Sequence, residues 1–270
     1  MNAAFSPDEW ASLLGQLKPV GATPVPVGLA PGPVLTTKKS LTFLVVSVRA
    51  GAGAQEEYVM KVYSDEGRAE REARVMQRLA AAGVTVPEIV AVGERALLRR
   101  HVAGRPLREL DIDERSCREL ASWLYRCHAV GTEEAKAAST HAATWLVGDM
   151  NLGNFIVGEA DGSIWGIDFG DTRLGDPYDD VGEGAMRILL HTPAFSEHRW
   201  RAAVAFVECY GGLESGGSGG EVARMRVVPH VQRAFRQMAQ WRRGDENMLR
   251  AADDFPGLWQ EVLRDAGVGG

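Results

Sequence analysis

The hydrophobic pattern of the first hundred residues predicts five strands and one helix. Runs rich in Val, Thr, Phe and Tyr are separated by turn-forming segments such as TTKKS and AGAGAQEE, which is typical of antiparallel strands joined by short connections. The helix is predicted from about Ala69 to Ala80, where apolar residues recur at spacings of three and four, with Gly83 just beyond its end. The predicted strands cover residues 33–36, 41–49, 57–63, 84–92 and 96–102.

From about residue 104 the pattern is helical, apart from one hairpin. Short β-type runs surround an Asp161-Gly162 turn, and GGLESGGSGG predicts a flexible surface loop. The β-type runs cover residues 146–148, 154–157 and 164–168. The predicted helices cover residues 113–130, 181–190, 196–210, 221–241 and 255–265.

Charge and composition exclude several classes of protein. The chain has 30 Lys and Arg against 36 Asp and Glu, a net charge of −6, so there is no basic surface to indicate a nucleic-acid partner. No apolar run is long enough to cross a membrane, and the N-terminus lacks the features of a secretory signal. Cys117, Cys127 and Cys209 are scattered, which argues against a disulfide framework and a zinc site. We therefore expect a cytoplasmic, globular protein without membrane partners.

The candidate chemistry is concentrated in the segment LVGDMNLGNFIVGEADGSIWGIDFGDTRLGDPYDD. Asp149 precedes Asn154 by five residues, and Asp168 follows the intervening hairpin. Carboxylate and amide oxygens are the ligands that Mg²⁺ prefers, usually with phosphate oxygens completing the shell. Asp149 would then be free to accept a hydrogen bond from a substrate hydroxyl. Such a small set of groups suffices for phosphoryl transfer, in which the protein mainly positions the reactants and neutralises charge.

These motifs resemble those of the aminoglycoside phosphotransferase and choline kinase branch of the protein-kinase-like superfamily. The order GD-x4-N, IDFG and GDP-x-x-D matches the branch's catalytic and metal-binding motifs. Upstream, YVMKVYS resembles the lysine strand, RAEREARVMQRLAAAGVTVPEIVAVGE resembles the following helix and strand, and ALLRRHVAGRPL resembles the hinge. The resemblance covers roughly residues 34–181.

The resemblance implies an α+β, two-lobed protein-kinase-like fold, with a five-stranded antiparallel N-lobe containing one helix and a mainly helical C-lobe. We expect an N-terminal helix and Pro/Gly-rich connector over residues 1–33, the N-lobe over residues 34–102, and the C-lobe over residues 103–270. The C-lobe would contain the catalytic loop and an acceptor pocket.

The resemblance also implies which residues bind the nucleotide, ATP or GTP. Lys61 would contact its phosphates, and Glu72 would pair with Lys61 and hold its side chain in place. Glu70 is the alternative partner, and only the family register favours Glu72. The adenine would be bound by backbone groups near Arg100 and Val102.

The remaining roles fall on the catalytic loop and the strand after it. Asn154 and Asp168 would bind Mg²⁺, and Asp149 would orient the acceptor hydroxyl and accept its proton. Asp180 would support the loop by accepting backbone N–H bonds. We interpret His128 as a structural hydrogen-bonding residue.

The chain departs from the family pattern at three places. Val147 stands where the branch usually has a histidine, and TTKKSLT replaces a glycine-rich phosphate loop. The hinge Arg99-Arg100-His101 is unusual and leaves the preference between ATP and GTP open.

Two further points have alternatives. Asp245, Glu246, Asp253 and Asp254 are interpreted either as solvated surface or as a wall of the pocket for a cationic acceptor, an amino alcohol or an aminoglycoside-like molecule. The predicted function is Mg²⁺-dependent phosphorylation of a small-molecule hydroxyl. The alternatives to this function are a small atypical protein serine/threonine kinase and a catalytically silent nucleotide-binding module.

Overall fold

The structure is a computed structural model, and the residues it describes fall into seven ranges. They are 6–21, 24–26, 28–36, 40–47, 56–137, 144–217 and 219–265. The expectations for TTKKSLT and for the turn AGAGAQEE fall partly outside these ranges.

The chain divides into two compact units. The first runs to Ala103 and also includes Trp165–Gly170, and the second comprises Gly104–Ile164 and the chain from Asp171 onward. The sequence pattern placed Trp165–Gly170 with the helical part of the chain. Its inclusion in the first unit results from contacts between residues that are far apart in sequence.

The first unit is built on a six-stranded antiparallel sheet in the order β1-β5-β6-β4-β3-β2. All five predicted strands are present, but the predicted number is one too few. The additional strand, β1, has only two residues and is too short to show an alternating pattern. Strand β5 is shorter than predicted because it begins after Pro87, which cannot donate a ladder hydrogen bond. The strands are β1 (Lys18–Pro19), β2 (Leu29–Thr36), β3 (Ser40–Ser47), β4 (Glu56–Tyr63), β5 (Ile89–Val92) and β6 (Ala96–Arg100).

The two faces of β4 carry different side chains because successive residues of a strand alternate. Tyr58, Met60 and Val62 face a buried apolar cluster, against which Trp10 of the N-terminal helix α1 (Pro7–Gly15) also packs. Lys61 lies on the opposite face. The N-terminal segment is therefore part of the first unit, packed on the face away from Lys61. The other buried members of the cluster are Leu17, Leu29, Val45, Val90, Ala91, Ala96 and Leu98.

Helix α2 (Arg68–Ala81) is the predicted amphipathic helix. Its buried positions recur at helical spacing, and Gly83 follows it with φ of 76°, a conformation that glycine adopts without strain. The buried side chains of α2 are Ala69, Glu72, Ala73, Met76 and Leu79. A carboxylate among them requires a partner, since an isolated buried charge is costly.

The second unit is mainly helical, and two small sheets contain its short strands. No described helix combines the length and apolar character that a membrane span requires. The strands are β7 (Gly104–Pro106), β8 (Thr144–Leu146), β9 (Phe155–Gly158), β10 (Ile164–Gly166, whose end enters the first unit) and β11 (Arg173–Gly175), in the orders β10-β9-β7 and β11-β8. The helices are α3 (Glu114–Ala137), α4 (Pro177–Leu189), α5 (Glu197–Glu214), α6 (Gly220–Arg226), α7 (Val228–Trp241) and α8 (Glu246–Asp265).

The helices differ from the predicted pattern in two respects. The predicted helix 221–241 is divided at Val227 into α6 and α7, and Pro229 occupies the first turn of α7, where a missing N–H is tolerated. Helix α8 begins nine residues earlier than predicted and continues through Pro256, against the usual effect of an internal proline. Its buried Phe255 and Trp259 stack at 5.4 Å between ring centroids. Tertiary packing thus outweighs the local preference.

Candidate active site

Lys61 and Glu72 form a buried ion pair in the first unit. The Nζ atom of Lys61 on β4 lies 3.1 Å from Oε1 and 2.9 Å from Oε2 of Glu72 on α2. The side chains are 7% and 1% exposed. Burial lowers the pKa of Lys61, but the carboxylates of Glu72 and Asp168 outweigh this effect and raise it, so the ammonium remains charged.

Two further donors fix the Glu72 carboxylate. The hydroxyl of Tyr63 donates to Oε2, and the backbone N–H of Phe169 donates to Oε1 at 3.2 Å. Burial and the adjacent Glu72 both raise the pKa of Tyr63, which therefore stays a donor. Glu70, the alternative partner for Lys61, is exposed. The geometry therefore pairs Lys61 with Glu72.

Asp168 completes a three-residue charge cluster on the same side of the sheet. Its Oδ1 lies 2.8 Å from Nζ of Lys61 and accepts the backbone N–H of Gly170 at 3.1 Å. Burial raises its pKa, but Lys61 and the Gly170 N–H outweigh burial, so the pKa is lowered from its ordinary value. The side chain is 41% exposed, which leaves Oδ2 accessible to a ligand.

The hinge residues lie at the end of β6. The Arg100 guanidinium points outward and is 2.7 Å from Oε2 of Glu88 and 3.8 Å from Oε1 of Glu56. Arg99 is buried, in contrast, at 6% exposure. Val102 is half-buried beyond the strand. The Arg100 backbone N–H donates to the Glu88 carbonyl at 2.9 Å, and the Arg100 carbonyl accepts from Nη1 of Arg99 at 3.4 Å. The adenine-binding role that the resemblance implies for Arg100 and Val102 stays a prediction.

In the second unit, Asp180 holds the segment that precedes Asp149. The Asp180 side chain is 1% exposed and accepts the backbone N–H of Val147 at 2.6 Å and that of Gly148 at 3.1 Å. The Nε2 atom of His128 lies 3.0 Å from Asp180, and its Nδ1 lies 2.7 Å from the hydroxyl of Tyr210. The predicted support of the loop by Asp180 and the structural role of His128 are both confirmed. Val147 contributes its backbone N–H, so the absence of a histidine side chain does not remove this contact.

Asp149 is partly accessible at the start of the loop. Its Oδ1 accepts the backbone N–H of Asn151 at 3.2 Å, and its side chain is 35% exposed. The Nδ2 of Asn154 donates to the Asp149 carbonyl at 3.2 Å. Among the described residues, no hydrogen bond engages Oδ2 of Asp149 or Oδ1 of Asn154. The geometry thus leaves one oxygen of each side chain for a ligand.

Arg187 and Glu183 on α4 are neighbours of Asp149 that the sequence reasoning missed. Nη2 of Arg187 lies 3.6 Å from Oδ1 of Asp149 and 2.8 Å from Oε1 of Glu183. The Arg187 and Glu183 side chains are 18% and 15% exposed. Burial raises the pKa of Glu183 despite the opposing effect of Arg187. Their spacing of four residues resembles any exposed helical ion pair, so the sequence contained no signal for their position beside Asp149.

The acidic group on α8 is largely engaged with its own surroundings. Asp245 accepts the backbone N–H of Asn247 at 3.0 Å at the start of the helix, and Oδ1 of Asp253 is 3.0 Å from the exposed Arg236 guanidinium. Asp254 is exposed. These contacts favour the interpretation of the group as solvated surface.

Each of the two predicted magnesium ligands has an oxygen of a suitable kind. Asp168 of the first unit offers a carboxylate oxygen and Asn154 of the second unit an amide oxygen, both hard ligands that suit Mg²⁺. The described residues contain no group of three or more His, Cys, Asp or Glu side chains that could hold a metal.

Comparisons with known proteins lead to the same branch. The model of the phosphotransferase enzyme family matches residues 38–138. No curated protein sequence matches the chain. Among solved structures, an ethanolamine kinase from Plasmodium vivax is similar with a TM-score of 0.61 at 11% identity, over 87% of this chain and 83% of that one.

Two further kinase structures are similar at the same level. An amicoumacin kinase in complex with AMP-PNP, Ca²⁺ and Ami has a TM-score of 0.59 at 12% identity, over 93% of this chain and 94% of that one. A choline kinase from Cryptosporidium parvum has a TM-score of 0.56 at 11% identity, over 89% and 91% of the two chains. At this level of sequence identity, structural similarity is evidence for the fold alone. The resemblance drawn from the motifs is confirmed, and the chain has the protein-kinase-like fold of these phosphotransferases.

Proposed function

We propose that the protein transfers the γ-phosphate of a purine nucleoside triphosphate to a hydroxyl group of a small molecule, with Mg²⁺. The observation that carries the proposal is the buried ion pair of Lys61 with Glu72, which the partly exposed Asp168 also contacts. Taking the Lys61 ammonium and the Glu72 carboxylate out of water is costly and is not explained by stability alone. In a phosphotransferase the same cluster has a use, because it holds one positive charge in place for the nucleotide phosphates.

The remaining groups of the proposed reaction have distinct tasks. Glu72 keeps the Lys61 ammonium in one position, so the charge needs no rearrangement when phosphate binds. Asp168 and Asn154 would hold the magnesium ion, which neutralises phosphate charge when bound. Asp149 would orient the acceptor hydroxyl with its unengaged Oδ2 and receive its proton. The bond from the acceptor oxygen to the γ-phosphorus would form as the bond from that phosphorus to the nucleoside diphosphate breaks, and the diphosphate would leave.

The charges around Asp149 favour an acceptor that carries a positively charged nitrogen. Asp149 and Glu183 contribute two carboxylates and Arg187 one guanidinium, which leaves one negative charge in excess. Among the described residues, Oε2 of Glu183 accepts no hydrogen bond. Two of the similar structures are named as ethanolamine and choline kinases, and both of those alcohols carry a cationic nitrogen. We therefore propose an amino alcohol or a larger aminated molecule as acceptor.

The test is phosphate transfer by the wild type and by Asp149→Asn from labelled ATP and GTP. The acceptor panel contains ethanolamine, choline, aminoglycosides, neutral sugars and a generic protein. We expect transfer to an aminated alcohol, and a decrease in kcat of about 10²- to 10⁴-fold in the variant, the usual contribution of a general acid–base group. Nucleotide affinity should remain near that of the wild type.

Asp161→Asn is the matched control, because this exposed carboxylate lies in the same unit and caps a hairpin turn in a way that asparagine can reproduce. Near-normal turnover by folded Asp149→Asn would refute the role of Asp149. Transfer to protein alone would identify an atypical protein kinase, and nucleotide binding without any transfer would identify a silent binding module.

A further inference from the structure

Arg99 is a buried cation on the face of the sheet that carries Lys61. In the pairing of β4 with β6, Arg99 lies opposite Val59 and Leu97 lies opposite Lys61. Residues directly opposite one another share a face, and so do residues two positions apart along a strand. The guanidinium therefore lies on the nucleotide side of the sheet, away from the apolar cluster on the other face.

The hydrogen bonds of Arg99 are far fewer than its donors. A guanidinium carries five N–H donors, yet Arg99 is 6% exposed and makes a single hydrogen bond to a described residue, from Nη1 to the carbonyl of Arg100 at 3.4 Å. Burial lowers its pKa, and the carboxylates of Glu72 and Asp168 oppose that effect. Both carboxylates already contact Lys61 directly, so Arg99 retains donors that no described residue of this unit accepts.

The position of that one hydrogen bond matters for base recognition. The backbone near Arg100 is where the resemblance places the purine base, and a backbone carbonyl is suited to accept the N6 amino group of adenine. Here Arg99 already donates to the Arg100 carbonyl. The carbonyl keeps a second lone pair, but the guanidinium beside it places several donors next to this single acceptor. The end of β6 is therefore richer in donors than in acceptors.

We propose that Arg99 selects a purine with an oxo group at C6, so that the protein uses GTP in preference to ATP. The oxygen at C6 of guanine accepts hydrogen bonds, and a guanidinium is well suited to bind it. The amino group of adenine would instead place donors against donors, and a mismatch that leaves buried polar groups unpaired is strongly selected against. This inference rests on the proposed function, since it concerns the nucleotide of the same site.

The test measures the dissociation constants of ATP, GTP and ITP with Mg²⁺ by isothermal titration, using the full chain. Hypoxanthine in ITP has the oxygen at C6 but lacks the 2-amino group of guanine, so ITP isolates the contribution of that oxygen. We expect GTP and ITP to bind about ten- to a hundredfold more tightly than ATP, the range for a hydrogen bond to a charged group. Arg99→Met should bring the ratio of GTP to ATP affinity close to one.

Arg74→Met is the matched control, because Arg74 is an exposed arginine of the same unit. It should leave the ratio unchanged. Arg99→Lys keeps the charge but loses the planar pair of donors, and an intermediate ratio is expected. If Arg99→Met does not fold, the inference is still tested by the ratio of GTP to ATP affinity in the wild type and in Arg99→Lys.

Equal or tighter binding of ATP by the wild type would overturn the inference and leave the proposed function intact. The same holds if the ratio in folded Arg99→Met equals that of the wild type. If none of the three nucleotides binds, the proposed function itself fails, and the inference fails with it.

Discussion

Replacing Asp180 by alanine should destabilise the second unit and disable the loop that carries Asp149. The Asp180 carboxylate is almost completely buried and accepts the N–H groups of Val147 and Gly148, with His128 in contact at 3.0 Å. Alanine removes all three contacts at once. It leaves two backbone donors and an imidazole without this partner in a buried environment.

The expected cost follows from the number and kind of these contacts. An unsatisfied buried donor costs about 1–3 kcal/mol, and removal of one partner from a buried charged network costs about 3–5 kcal/mol. We expect a decrease of about 3–5 kcal/mol in the free energy of unfolding for Asp180→Ala. In a unit of this size, 1 kcal/mol corresponds to about 2–4 °C in Tm, so Tm should decrease by roughly 10 °C. Asp180→Asn keeps one acceptor oxygen, so its Tm should lie between those of the wild type and Asp180→Ala.

The assay is thermal and urea unfolding followed by circular dichroism, with turnover measured on the folded Asp180→Asn protein. Asp254→Asn is the control, because Asp254 is exposed on α8, and surface substitutions usually change stability by less than about 0.5 kcal/mol. The reasoning would be refuted if Asp180→Ala melted within about 2 °C of the control. Normal turnover by Asp180→Asn would show that Asp149 does not depend on this anchor.

Three further predictions concern the charged clusters. Glu72→Gln should weaken nucleotide binding about ten- to a hundredfold, because Lys61 loses the buried charge that holds it, and an unchanged Kd in isothermal titration would contradict this. The pKa of Asp168 is lowered from its ordinary value of 3.8, so its stabilising effect is complete above about pH 4 and disappears as the pH falls through the lowered value; the Tm difference between the wild type and Asp168→Asn should therefore shrink on acidification, and a constant difference would oppose the argument. Arg187→Ala should lower kcat about tenfold with nucleotide Kd unchanged, because Arg187 positions Asp149 at 3.6 Å, with partial recovery in Arg187→Lys; a change confined to Kd would assign Arg187 to nucleotide binding.

Local patterns were sufficient for most elements of the fold. In β4 the alternation of side chains determines which face is buried, and in α2 the spacing of three and four residues does so. Both patterns can be read from neighbouring residues in the sequence. The strands that were missed, β1, β7 and β11, have only two or three residues each, which is too few for such a pattern. Helix α8 was predicted to begin too late, and it continues through Pro256 because its apolar face packs against the unit's core.

The sequence by itself also singled out the candidate residues for the proposed chemistry. Motif spacing selected Asp149, Asn154 and Asp168, and the family resemblance added Lys61 and Glu72. The tertiary structure then showed that Lys61, Glu72 and Asp168 meet in one cluster. Short motifs can be recognised in the sequence because each is a run of neighbouring residues with a fixed local geometry.

Only the tertiary structure showed where the charged residues outside the motifs lie. Arg99 looked like one of three consecutive polar hinge residues, and Arg187 like half of a helical ion pair. Burial and the side of the sheet distinguish Arg99 from Arg100, and the packing of α4 brings Arg187 to Asp149. Burial and charge environment depend on contacts between residues that are far apart in the chain. A local sequence pattern therefore does not show which distant groups surround a charged side chain.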